Sequence, residues 1–118
     1  MNFTRDGVFD RRITVYQPRN GYRFSVDSVL LGCFAIRGRA VRALDLGSGS
    51  GVVGFILLAH GGVRDVTAVE MDPTLVEASR MGARENGLTE GYRVIHGDLR
   101  DPETMQELHD LDLVVSNP

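Results

Sequence analysis

Residues 41–54 read Val41-Arg42-Ala43-Leu44-Asp45-Leu46-Gly47-Ser48-Gly49-Ser50-Gly51-Val52-Val53-Gly54, and the reading of this stretch decides the fold. The apolar run over 41–46 predicts a buried strand, and alternating glycines and serines follow it. Residues 52–60 are apolar on nearly every side, which predicts a helix packed deep against a sheet, and Gly61-Gly62 stops it. Residues 66–70 then predict a second strand. Strand, glycine turn, helix and strand in that order make a βαβ unit, the signature of a parallel sheet in an α/β fold.

Toward higher numbers the alternation continues. Pro73 suits a first helical turn, and residues 74–86 place Leu75, Ser79, Gly82 and Asn86 on one stripe, with Gly87 just past the end. Residues 92–96 predict a third strand, Asp101-Pro102 opens a short helix through His109, and residues 111–115 predict a fourth strand leading into Ser116-Asn117-Pro118. A nearly continuous apolar strand expects cover on both faces and a neighbour on each edge. The expectation is therefore the N-terminal portion of a longer domain. The alternative is a small four-stranded domain whose last strand is a protected edge or pairs across a dimer.

Toward lower numbers, residues 1–10 read as irregular and residues 13–17 alternate as a strand. Pro18-Arg19-Asn20-Gly21 supplies turn chemistry and residues 22–24 resume extended character, which predicts a hairpin. Ser25 or Asp27 can then cap a helix that buries Val26, Val29, Leu30, Cys33 and Phe34 on one face and ends at Gly38. The expected division is a hairpin and capping helix over 1–40 and the sheet domain over 41–118.

At 118 residues the chain holds one ordinary domain with a modest core. Its longest apolar runs, 29–36 and 52–59, are far short of the roughly 20 residues that span a bilayer. The first ten residues lack the apolar stretch of a secretion signal, and a lone Cys33 forms no internal disulfide, so the expected setting is the cytoplasm. All 13 basic residues are Arg. Residues 1–23 carry a net +3, from Arg5, Arg11, Arg12, Arg19 and Arg23 against Asp6 and Asp10, while the remainder carries −6. A basic arm on an acidic body suits either a solvated hairpin or contact with nucleic-acid phosphates.

The chemistry concentrates in residues 45–51. Glycines at a strand-to-helix junction let backbone N–H groups approach a ligand at a helix N-terminus. Gly49, Gly51 and Gly54 also satisfy the dinucleotide-binding spacing G-x-G-x-x-G, but that fingerprint should begin immediately after the strand, where Gly47 stands. Asp45 would face a pyrophosphate across a short gap, and like charges repel. A methyl donor carrying ammonium and sulfonium charges suits that carboxylate better. Glu70 ends the second strand, where a carboxylate can accept from ribose hydroxyls. Asp98, after the third strand, is placed to accept from an adenine amine, or is ordinary turn chemistry. Metal ligation is not expected, because His60, His96 and His109 have neither helical nor Cys-cluster spacing. Cys33 reads as a core residue.

Taken with the terminal Ser116-Asn117-Pro118, the residues 45–51, Glu70 and Asp98 resemble class I S-adenosylmethionine-dependent methyltransferases. Residues 17–31, Gln17-Pro18-Arg19-Asn20-Gly21-Tyr22-Arg23-Phe24-Ser25-Val26-Asp27-Ser28-Val29-Leu30-Leu31, are similar to the segment preceding the cofactor loop in tRNA adenine-N6 methyltransferases that modify a valine tRNA. The resemblance implies a Rossmann-like parallel sheet in the order 3-2-1-4 and S-adenosylmethionine as cofactor. It implies that Gly47, Gly49 and Gly51 pass the methionine part beside Asp45, that Glu70 holds the ribose, and that Met71 flanks the adenine. Asp98 and Leu99 would contact the adenine edge, and Asp27 would lie near the amino-acid end. Asn117 and Pro118 would be the catalytic pair, the start of an Asn-Pro-Pro-aromatic motif whose last two members this sequence does not contain. The implied reaction is methylation of adenine N6 in a tRNA. Glutamine N5 methylation of a release factor, a nucleotide-binding oxidoreductase half, and a nucleotide-binding fragment without activity remain alternatives.

Overall fold

The structure is a computed structural model describing residues 2–21, 23–35, 41–106 and 108–117. It opens with an antiparallel hairpin of β1 (Phe3–Val8) and β2 (Ile13–Pro18), in register from Phe3 against Pro18 to Val8 against Ile13. This corrects two expectations, since residues 3–8 are a strand rather than irregular and the hairpin turn falls at residues 9–12 rather than at Pro18–Gly21. The sequence misled because Pro18-Arg19-Asn20-Gly21 has turn chemistry that Phe9-Asp10-Arg11-Arg12 lacks. Phe9, Asp10 and Arg11 adopt φ of 55°, 54° and 68° without a glycine among them. An edge-on contact of the Phe9 ring with His60, centroids 5.6 Å apart, anchors the turn. Arg23 and Phe24 lie in no strand, and Tyr22 lies outside the described residues.

Helix α1 (Val26–Phe34) also departs from expectation. Its buried residues are Ser28 and Gly32, while Val26, Leu30 and Phe34 are exposed and Cys33 is an exposed free thiol rather than a core residue. The cause is close helix–helix packing. A Cβ at Gly32 would lie 2.9 Å from Ile56 Cδ1, so only the small-residue face can approach the next helix. Ser25 is the N-cap and Asp27 falls in the first turn; the Ser25 side chain makes no cap bond, and its carbonyl accepts from Ser28 N–H. Gly38 lies outside the described residues.

From there the alternation holds. The elements β3 (Arg42–Leu46), α2 (Val52–His60), β4 (Asp65–Glu70), α3 (Pro73–Glu85), β5 (Tyr92–His96), α4 (Pro102–Gln106) and β6 (Leu113–Ser116) follow in turn. The four strands are parallel in the order β5-β4-β3-β6, the expected 3-2-1-4 of a doubly wound Rossmann-like sheet. Helix α2 forms the centre of the core, with Phe55, Ile56 and Leu57 fully buried beside Ile13 and Val15 of β2. α4 ends at Gln106 instead of reaching His109. It buries no residue, so no packing extends it.

The hairpin is stapled to α3 by one side chain. Asn86, the C-cap of α3, accepts from Thr14 N–H at 2.8 Å through its Oδ1 and donates to Thr14 O at 2.7 Å and Gly82 O at 2.8 Å through its Nδ2. A strand neighbour would satisfy the same two groups of β2, so Asn86 stands in for one.

Candidate functional site

All four parallel strands end at one pole, where an open α/β sheet holds its ligands. Gly47 and Gly51 reverse the chain there at φ of 68° and 96°, and Gly51 caps α2. Position 51 is doubly constrained, because a Cβ would also lie 2.8 Å from the Phe55 ring and 3.0 Å from the Tyr92 hydroxyl.

Four of the loop's N–H groups bond within the protein instead of facing a ligand as the sequence suggested. Gly47 and Ser48 both donate to Val69 O, at 2.8 and 3.1 Å. Gly49 donates to Glu70 Oε1 at 2.7 Å and Gly51 to Ser48 O at 3.1 Å. These amides are occupied by the protein itself, so they do not form the cradle that a pyrophosphate requires. The loop is a hinge held by β4.

Beneath it lies a small cavity of about 10 Å³, lined by Phe24, Ser28, Asp45, Gly47, Ser48 and Asn117 together with Ser50, Val52 and Val53. Asp45 is 2% exposed, and its Oδ2 has no hydrogen-bond partner among the described residues; nor do Ser48 Oγ and Ser50 Oγ. Burial, with the Glu70 charge adding to it, pushes the Asp45 carboxyl up to about 7. A buried carboxylate without a partner is costly, and a cation with N–H donors would remove that cost. Across the cavity Asn117 donates from Nδ2 to Ser28 Oγ at 2.8 Å, which leaves its Oδ1 as an acceptor. The wall is held to the sheet by Ser116 Oγ, which donates to Leu46 O at 3.2 Å.

The remaining sequence-predicted residues lie along the same pole. Glu70 accepts from Gly49 N–H through one oxygen and from Asp72 N–H, at 2.9 Å, through the other, and each oxygen keeps a further lone pair. Met71 and Leu99, 58% and 42% exposed, follow the neighbouring strands β4 and β5 and present apolar side chains to solvent. Asp98 is held by Arg100, which donates from its backbone N–H, Nε and Nη2 and keeps the carboxyl down at about 2. Asp27 is exposed and does not line the cavity; its neighbour Ser28 does. Pro118 lies outside the described residues.

Phe24, Ser28, Ser48 and Ser50 are the site residues that sequence reasoning missed. Ser48 and Ser50 were legible inside the quoted loop, whereas Phe24 and Ser28 reach the site only through the path of the chain after β2. None of the histidines clusters: His96 Nε2 donates to Met71 O at 2.9 Å, His60 meets Phe9, and His109 pairs with Asp110. Among the described residues no group of three or more His, Cys, Asp and Glu side chains is placed to hold a metal, and no helix is long and apolar enough to cross a membrane.

A doubly wound parallel sheet that gathers a glycine-rich loop, a buried carboxyl and an acidic strand end at one pole defines a Rossmann-like α/β domain. The comparisons agree with that class. Residues 25–118 match the model of the methyltransferase small domain, and the chain belongs to that family. It is 28% identical over 108 residues to a tRNA1(Val) (adenine(37)-N6)-methyltransferase of a Flavobacteriaceae bacterium, covering 92% of this chain and 46% of the relative. It is 33% identical over 128 residues to the enzyme of the same name from Serratia proteamaculans, covering 99% and 46%. Among solved structures, a SAM-dependent methyltransferase from Agrobacterium tumefaciens shares the fold with a TM-score of 0.73 at 16% identity, over all of this chain and 40% of that one. The chain thus spans under half the length of the curated relatives it matches.

Proposed function

We propose that this chain forms the methyl-donor-binding part of an S-adenosylmethionine-dependent N-methyltransferase that acts on adenine N6 of a tRNA in the cytoplasm. The observation that carries the reading is the buried, unpartnered Asp45 Oδ2 in a cavity shared with Asn117. The residues fit the donor's charge: Asp45 would accept from its ammonium, directly or through water, with Ser48 and Ser50 lending hydroxyls. Glu70 has lone pairs for ribose hydroxyls, and Met71 and Leu99 offer apolar contacts for the adenine faces. Asp98 can accept at the adenine edge if Arg100 swings aside. When bound, S-adenosylmethionine supplies an electrophilic methyl carbon on a cationic sulfur.

Asn117 is the residue proposed to meet the target. Its Oδ1 accepts one hydrogen of the target amine while Ser28 fixes the plane of the amide. The carbonyl of Pro118 would accept the other hydrogen. Holding the amine in this way directs its lone pair toward the methyl carbon, and such positioning contributes roughly 7 to 11 kcal/mol when alignment is good. No base is required before the transfer. The relatives' names support tRNA as the substrate, and the exposed Arg11 and Arg12 at the hairpin turn provide positive charge for it.

Calorimetry tests the donor reading. S-adenosylmethionine and its amine analogue sinefungin should both saturate the site, and Asp45→Asn should weaken both. Saturation by NAD with no heat from sinefungin would overturn it. For the substrate, methyl transfer to a valine tRNA by the intact protein is expected, and transfer to a release-factor glutamine instead would replace adenine N6.

A further inference from the structure

We infer that the flank formed by α3 and the edge strand β5 is an RNA-backbone groove, with Arg80, Arg84 and Arg93 as its phosphate contacts. A groove of about 330 Å³ runs between them, floored by Ala83, Tyr92 and Val94 and rimmed by Thr89. All three arginines are exposed, and none forms an ion pair among the described residues. No carboxylate lines the groove. Two of the five hairpin arginines are different: Arg5 is paired with Glu85 and Arg23 with Asp6. Arg80, Arg84 and Arg93 thus add three positive charges without an ion pair among the described residues to those of Arg11 and Arg12 at the hairpin turn, although the chain as a whole carries −3. Arg93 also borders a neighbouring cleft that contains Asp65 and Glu90, so the local anion site centres on Arg80 and Arg84, with Arg93 at its edge.

The geometry favours a strand of phosphates over a single ion. Arg80 and Arg84 are four residues apart on one helix face, so their Cβ atoms stand about 6 Å apart, and Arg93 faces them from β5. Arg80 and Arg84 stand one helical turn apart on one wall of an open groove and Arg93 on the other, so successive phosphates can each meet a guanidinium, which pairs with phosphate in a bidentate way. Among the described residues β5 is an edge strand, and no further strand covers this flank. Arg93 precedes the site end of β5 by three residues, about 10 Å along the strand, and β6 lies three strand spacings away, about 14 Å, so an RNA seated here must cross the site end of the sheet to bring a base to Asn117.

This inference rests on the proposed RNA substrate, and the experiment separates the two. Binding of a tRNA transcript is measured against salt for the full chain, for a triple variant (Arg80→Gln, Arg84→Gln, Arg93→Gln) and for the hairpin pair (Arg11→Gln, Arg12→Gln), with S-adenosylmethionine calorimetry on each. The triple variant should lower the slope of log affinity against log salt by roughly 2 to 3, leaving cofactor heat unchanged. A single Arg84→Glu should act in the same direction and guards against a folding effect of the triple change. An unchanged slope in the triple variant alongside normal wild-type binding overturns the groove and spares the RNA substrate. Absence of tRNA binding by the wild type overturns both, while S-adenosylmethionine heat would still uphold the donor site.

Discussion

Two tight turns at opposite ends of α2 invert the backbone by different means. At the start of the helix, Gly47, Gly49 and Gly51 take positive φ at no side-chain cost, and neighbouring carbonyls and Glu70 fix their N–H groups. Near its other end, Phe9, Asp10 and Arg11 take positive φ despite their side chains, and the Phe9 ring on His60 holds them there. Left-handed geometry costs roughly 1 to 2 kcal/mol for an ordinary residue, so the second turn exists because tertiary packing supports it. A turn that pays locally can be read from sequence. One that is paid for by a distant ring cannot.

The contrast can be broken most severely at Gly51. Gly51→Ala combines a disfavoured φ with a clash against Phe55 and Tyr92, and should cost about 2 to 5 kcal/mol in chemical denaturation. A loss below about 1 kcal/mol would mean that the hinge is softer than described.

Asp45→Asn tests the chemistry that the glycine turn encloses, with an expected loss of at least a hundredfold in S-adenosylmethionine affinity, ~3 kcal/mol. Its pH behaviour is equally specific. Because the folded Asp45 carboxyl titrates near 7, against 3.8 unperturbed, the native state holds a proton that the unfolded chain has released. The ligand-free fold should therefore lose stability as pH rises from about 4 to about 7, while affinity for the cationic donor strengthens over the upper part of that range. Asn at position 45 should flatten the contribution of this group to both profiles.

Asn86→Ala removes the stand-in neighbour of β2 and strands the Thr14 N–H and C=O, for an expected loss of about 2 kcal/mol by thermal or urea unfolding. The smallest effect has the opposite sign. Arg11→Gly should relieve left-handed strain in the hairpin turn and stabilise the protein by roughly 0.5 to 1 kcal/mol. Destabilisation instead would show that the Arg11 side chain supports the turn.

The same division explains what the sequence revealed. Residues 41–96 were legible because each βαβ unit declares itself locally, through apolar runs, Pro73 at a helix start and Gly87 past its end. Asp45, Gly47 and Asn117 were identified from the motif and do meet at one cavity. The buried face of α1 was misread because Val26, Leu30 and Phe34 carry the local apolar signal, whereas the packing is decided by the absence of a side chain at Gly32, opposite Ile56. The hairpin was misplaced for a related reason: Pro18-Arg19-Asn20-Gly21 offers stronger local turn chemistry than the turn the fold uses. Ser28 joined the site unannounced, since its partner Asn117 is 89 residues away.

The pairing of β3 with β6 has a temporal consequence. β3 lies between β4 and β6, and its partner on the β6 side begins with Leu113 opposite Ala43. During synthesis the ribosome must deliver both intervening helix–strand units before that seam can zip. Contacts this far apart along the chain slow folding. The wall bearing Asn117 closes late, so a nascent chain makes the Asp45 end of the cavity first and completes its lining only when β6 is in place.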